Sequence, residues 1–181
     1  MKKLVLVTAV VAACFTYAPA AGAVTFDGLC DLPGQTTYSK DLVLLPQEIT
    51  WKFRIDPTTA KCTGFVDGRF VVDTPAGGHV TGTGPISCGT SLTATFNAKG
   101  QLEFPGLGLA DPNLGVTVHL VAPAAQNLLV IQGKDGGYAT GRASFLGQND
   151  VAGTTQDCID GEGANNLRFT VQMKTVGPMS G

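Results

Sequence analysis

An all-β fold, a single-domain antiparallel β-barrel or β-sandwich stapled by two disulfides, is predicted by three features of the chain. Ile49-Thr50-Trp51-Lys52-Phe53-Arg54-Ile55-Asp56 alternates apolar and polar side chains over its whole length. A period of two puts successive side chains on opposite faces of a strand, one dry and one wet. The 24 Gly and 10 Pro are spread along the chain rather than gathered in one tract, so they act as turn punctuation. Cys30, Cys62, Cys88 and Cys158 follow an export-type leader, and an even set of cysteines in an oxidising compartment pairs into disulfides.

The elements follow from the same rules in chain order. Val24 to Cys30 and Leu42 to Leu45 are the first two strand candidates, separated by Pro33-Gly34, read as a turn. Ile49 to Asp56 comes next and ends at Asp56-Pro57, since Pro presets a turn. Gly64 to Val72 and His79 to Ile86 flank Pro75-Ala76-Gly77-Gly78 and are predicted to fold as a hairpin about residues 73–78. Leu92 to Asn97 repeats the alternation before Ala98-Lys99-Gly100, and Gln101 to Leu109 precedes Asp111-Pro112-Asn113. Val116 to Leu120, Asn127 to Gln132, Tyr138 to Leu146 and Leu167 to Lys174 complete the set. Short strands spaced by turns, each with one wet face, describe antiparallel sheets. No amphipathic stretch is long enough for the crossover helices that parallel strands need.

The start of the chain reads as an address. Met1-Lys2-Lys3 is followed by an apolar run to about Phe15 and by Ala21-Gly22-Ala23, the pattern of a secretory signal removed after residue 23. The run is shorter than the ~20 apolar residues of a membrane span, and no transmembrane segment is predicted elsewhere. A competing reading is a lipobox, Val11-Ala12-Ala13-Cys14, which would anchor the protein at the cell surface through Cys14. Cleavage after Ala23 leaves one domain, residues 24–181. Loss of Lys2 and Lys3 leaves ten basic side chains against 14 acidic ones, a charge of −4. The charges are scattered, with no basic patch for phosphates, which argues against nucleic acid as partner.

Four cysteines allow three connectivities. Folding the chain about residues 73–78 brings Cys62 near Cys88 and leaves Cys30 to Cys158. The sequential alternative, Cys30–Cys62 with Cys88–Cys158, stays open.

Phe26-Asp27-Gly28-Leu29-Cys30, Cys62-Thr63-Gly64, Ser87-Cys88, Gly136-Gly137-Tyr138-Ala139-Thr140-Gly141 and a late Cys158 occur in this order. In this the chain resembles a group of exported all-β proteins of high-GC Gram-positive bacteria. The resemblance implies export and a β fold, and it implies no activity.

The chemistry-bearing residues do not assemble a reaction. His79 starts a strand after a Gly-Gly turn, and His119 shares a face with Thr117, so both read as wet-face residues. No Gly-x-Ser-x-Gly elbow is present, and Gly82-Thr83-Gly84 lacks the Lys and helix of a phosphate loop. Asp157-Cys158-Ile159-Asp160-Gly161-Glu162 is acidic, but its spacing is not that of a calcium loop. No cofactor or metal is called for. A barrel of about eight strands can hold one small ligand, and Trp51, Phe53 and His119 are the residues that would line such a cavity. The expectation is a secreted, non-enzymatic protein that binds a small apolar molecule or another protein. The alternatives are a barrel-type hydrolase or isomerase using His119 or His79, and a surface protein without ligand.

Overall fold

The computed structural model describes residues 24–87, 97–109, 111–122, 128–146, 156 and 164–181. The predicted signal at 1–23 with Cys14, the cysteines Cys88 and Cys158, residues 92–96 of one predicted strand and the acidic run 157–162 lie outside the described residues.

The described chain forms eleven strands: β1 (Thr25–Leu42), β2 (Gln47–Ile55), β3 (Lys61–Val66), β4 (Arg69–Pro75), β5 (Gly77–Ile86), β6 (Asn97–Glu103), β7 (Asn113–Ala122), β8 (Leu128–Gly133), β9 (Tyr138–Phe145), β10 (Ala164–Thr175) and β11 (Met179–Ser180). Around the sheet the order is β10-β9-β8-β7-β6-β5-β2-β1, and β1 pairs back onto β10. All pairings are antiparallel, so the molecule is a closed eight-stranded up-and-down barrel rather than a sandwich.

β3 prolongs β2 and β4 leads into β5, so one long hairpin carries the barrel wall past its end. Its tip is Asp67-Gly68, where both residues have positive φ, 50° and 72°. Two such residues form the tight turn whose twist matches that of a hairpin, and Asp-Gly is a preferred pair for it. The turn predicted about residues 73–78 does not form. Instead β4 and β5 run on through Ala76, whose N–H donates to the Ala60 carbonyl, and the irregularity at Asp73 (φ 49°) is a bulge.

β1 also departs from expectation, because it passes straight through Pro33-Gly34. On one edge it pairs continuously with β10 from Leu29 to Thr37. On the other it pairs with β3 up to Asp31, then with β2 from Gly34. Pro33 occupies the gap between these two partners, where the Pro33 carbonyl accepts from Asp56 N–H at 2.9 Å. A residue with no N–H of its own suits a break in the ladder.

These registers decide the disulfide. Cys30 and Cys62 are cross-strand partners of β1 and β3 and are bonded to each other. The Cys62–Cys88 and Cys30–Cys158 pairing is therefore wrong, since it rested on a hairpin turn placed too late in the chain. Closing a loop of 32 residues restricts the unfolded chain by about 3–4 kcal/mol.

The predicted strand Gln101 to Leu109 is cut short. β6 ends at Glu103, Phe104 drops into the core and Pro105-Gly106 turn outside it. The predicted segments Ile49 to Asp56 and Leu167 to Lys174 fall within β2 and β10 as read, except that Asp56 ends just outside. Ile49, Trp51, Phe53 and Ile55 are buried, while Thr50 and Arg54 are exposed. Tyr138, Thr140, Arg142 and Ser144 of β9 likewise face water, with Ala139 and Gly141 buried. The barrel is dry inside and wet outside, the reverse of a lipid-spanning barrel. Among the described residues no helix is long and apolar enough to cross a membrane.

Candidate ligand-binding lumen

The interior begins with how the strands are tilted. Paired residues lead from Tyr38 through Trp51, Gly82, Ala98, Val118, Ile131 and Ala139 to Thr175. Neighbouring Lys174 pairs with Leu29, so the circuit returns to β1 well away from where it began. Such a stagger tilts the strands strongly, and an eight-stranded barrel then has room for a small guest.

One end of this interior is plugged. Phe26 and Phe104 are fully buried with ring centroids 5.3 Å apart. Met179 and Leu114 are buried beside the same layer of strands. β11 holds Met179 in place by pairing with the start of β1 at Phe26, after the chain has turned back at residues 176–178. Thr175 secures the adjoining seam, its hydroxyl donating to Asp27 and accepting from Gly28 N–H at 2.8 Å.

Beyond the plug lies a cavity of about 150 Å³. Its wall runs from Leu102 and Met173, near the plugged end, to Ile86, Leu120 and Leu129 towards the other. Trp51 and Phe53 are among the residues of its wall. Each ring rests on a glycine of the adjacent strand. A Cβ on Gly82 would lie 2.6–2.9 Å from atoms of the Trp51 indole, and one on Gly34 would lie 2.7 Å from the Phe53 ring. The two glycines let bulky rings lie flat against the wall instead of filling the centre.

His119 does not line the cavity. It projects outward from β7, with Nδ1 hydrogen-bonded to the Asn97 amide oxygen on β6. The strand's inward positions are Leu114, Val116, Val118 and Leu120, and an odd-numbered residue between them must face the other way. His79 also faces outward, from β5, with β6 between the two histidines.

Among the lining residues that sequence reasoning did not name are the two hydroxyl-bearing ones, Thr36 and Tyr38 of β1. Residues 30, 32, 34, 36 and 38 all point inward, but the run Cys-Leu-Gly-Thr-Tyr hides its period behind a Gly and a Thr. Tyr38 is packed against the core, and burial pushes its phenol pKa well above the ordinary value. The remaining polar residue in the wall whose partner is defined is Gln101, whose amide donates to Glu103. No charged side chain of the described residues lines the cavity.

Charges gather outside, in grooves of mixed sign. One holds Asp31, Lys61, Asp73, Arg142 and Lys174 around exposed Leu29, and the other Lys52, Arg54, Asp56 and Arg168. The Thr58 hydroxyl and N–H both donate to Asp56, at 2.7 and 3.0 Å, and hold its carboxyl below the usual range, with Arg168 adding a smaller effect. Among the described residues no three His, Cys, Asp or Glu side chains are grouped to hold a metal ion.

No protein-family model, no curated protein and no solved structure matches the chain.

Proposed function

We propose that this protein is an exported binding protein that holds one small apolar molecule in the lumen of its barrel. The observation that carries this reading is the space left between Trp51, Phe53 and the aliphatic wall, in a barrel whose outer face is polar throughout β2, β9 and β10. A dry cavity of this volume takes a molecule the size of benzene, and apolar pockets with few polar groups are the usual form of small-molecule sites. Export is supported by the disulfide, since such bonds persist in oxidising compartments. The enzyme reading draws nothing from the lumen, because neither histidine faces it.

The test is titration with benzene and cyclohexane, followed through the indole N–H resonance of Trp51, the single Trp of the chain. Saturable shifts are expected in the native protein. Ala143 lines the same cavity, and Ala143→Phe should abolish them while the protein stays folded. Equal shifts in both proteins would mean binding outside the barrel and would end the proposal.

A further inference from the structure

The lumen is not uniformly apolar: besides Gln101 of β6, whose amide donates to Glu103, its wall carries two hydroxyls on β1. Thr36 and Tyr38 stand two residues apart on β1, both turned inward. Thr36 is 6% exposed, and Tyr38 is packed against the core. Neither hydroxyl has a hydrogen-bond partner among the described residues. Neither oxygen is fully sealed off, so each can take its partner from water or from a guest in the lumen. Facing them across the cavity are Val116, Val118 and Ile131, which offer no acceptor.

We propose that the guest is a neutral apolar molecule carrying one carbonyl oxygen, which accepts hydrogen bonds from the Tyr38 phenol and the Thr36 hydroxyl. This rests on the preceding reading of the lumen and adds the chemical class of the ligand. Three observations set that class. The unpartnered groups are hydroxyls, which can donate to an acceptor. Their surroundings keep the Tyr38 phenol protonated, so it remains a donor at neutral pH. No Lys, Arg or His of the described residues reaches the lumen, so a carboxylate would lose its hydration with no cation to replace it. A ketone, lactone or ester matches the site, whereas a fatty-acid-type anion does not. The volume limits the apolar part to roughly one six-membered ring.

The experiment compares three ligands of one shape, cyclohexanone, methylcyclohexane and cyclohexanecarboxylate, on the native protein, Tyr38→Phe and Thr36→Val. Affinities come from the Trp51 indole N–H titration, and the carbonyl stretch of bound cyclohexanone is read by infrared difference spectroscopy. The native protein should bind the ketone about three- to tenfold more tightly than the hydrocarbon, the span of one net hydrogen bond, and the carboxylate most weakly. Tyr38→Phe should erase the ketone preference, so that ketone and hydrocarbon bind alike, and move the stretch to higher frequency. Thr36→Val should reduce the preference in part, and both variants remove one oxygen or exchange it for a methyl, so folding is readily checked by near-UV circular dichroism. Equal binding of ketone and hydrocarbon by the native protein, or a preference that survives Tyr38→Phe, would overturn this inference and leave the lumen reading standing. Carboxylate binding as tight as the ketone would overturn it too. Failure of all three ligands to bind would remove both.

Discussion

Replacing Gly82 with Ala tests the seating of Trp51 on the barrel wall. The added methyl would lie 2.6, 2.7 and 2.9 Å from three atoms of the indole, and these are its three nearest neighbours. Carbon atoms pack comfortably at about 3.5–4.0 Å, so the ring must retreat by about 1 Å. The backbone does not oppose the change, because Gly82 is not among the residues at positive φ. The retreat is into the lumen. Overpacking of this kind costs about 1–3 kcal/mol, or roughly 3–10 °C of melting temperature in a domain of this size. The assay is a double-mutant cycle with Trp51→Leu, followed by far-UV circular dichroism in urea. In the Trp51→Leu background the penalty should largely vanish, and the restriction of the unfolded chain by Ala can even give a small gain. An equal loss in both backgrounds would show that Trp51 is not what requires the glycine. The same substitution should weaken benzene binding, because the displaced ring occupies the guest's space.

Non-reducing peptide mapping should recover a Cys30–Cys62 peptide, and Cys30→Ser with Cys62→Ser should lose about 3 kcal/mol of stability. A second bridge, Cys88–Cys158, is expected from parity, and β5 and β9 end at the same rim of the barrel; a Cys62–Cys88 peptide would contradict both. Alkaline titration should destabilise the native protein through Tyr38. Its folded pKa is raised, so the unfolded chain loses the proton first as pH climbs past about 10. Stability is then full below that pH and declines above it, by at most about 1.4 kcal/mol per pH unit for one group; Tyr38→Phe should flatten that part of the decline, measured by urea unfolding between pH 9 and 11. His119→Ala should leave ligand affinity unchanged and stability within about 0.5 kcal/mol, as read from the same titrations; a tenfold loss of affinity would return His119 to the site.

The fold was legible where alternation was strong. Ile49 to Ile55 and Leu167 to Lys174 each advertise a dry and a wet face, and each lies on its strand as read. The errors came from punctuation. Pro33-Gly34 looked like a turn, but Pro33 fills a gap in the ladder and Gly34 gives the Phe53 ring its seat, neither of which is local information. Asp67-Gly68 was the stronger hairpin signal and lay inside an assumed strand, while the Gly-Gly at 77 and 78 took its place. That displacement alone produced the wrong cysteine pairing. In the cavity wall, Trp51 and Phe53 stand on the inward face that the parity of their strand gives them. His119 was proposed for its chemistry although its own strand's parity pointed outward. Thr36 and Tyr38 were invisible because their strand was not recognised.

The pairing of β1 with β10 has a consequence for how the molecule comes into being. Leu29 meets Lys174 and Thr37 meets Asn166, so the wall cannot close until nearly the whole chain has been synthesised. Until then the nascent sheet keeps two open edges and an uncovered greasy face, and such long-range joining is intrinsically slow. A polypeptide stopped before β10 would therefore be a sticky half-cylinder, not a smaller version of the finished vessel.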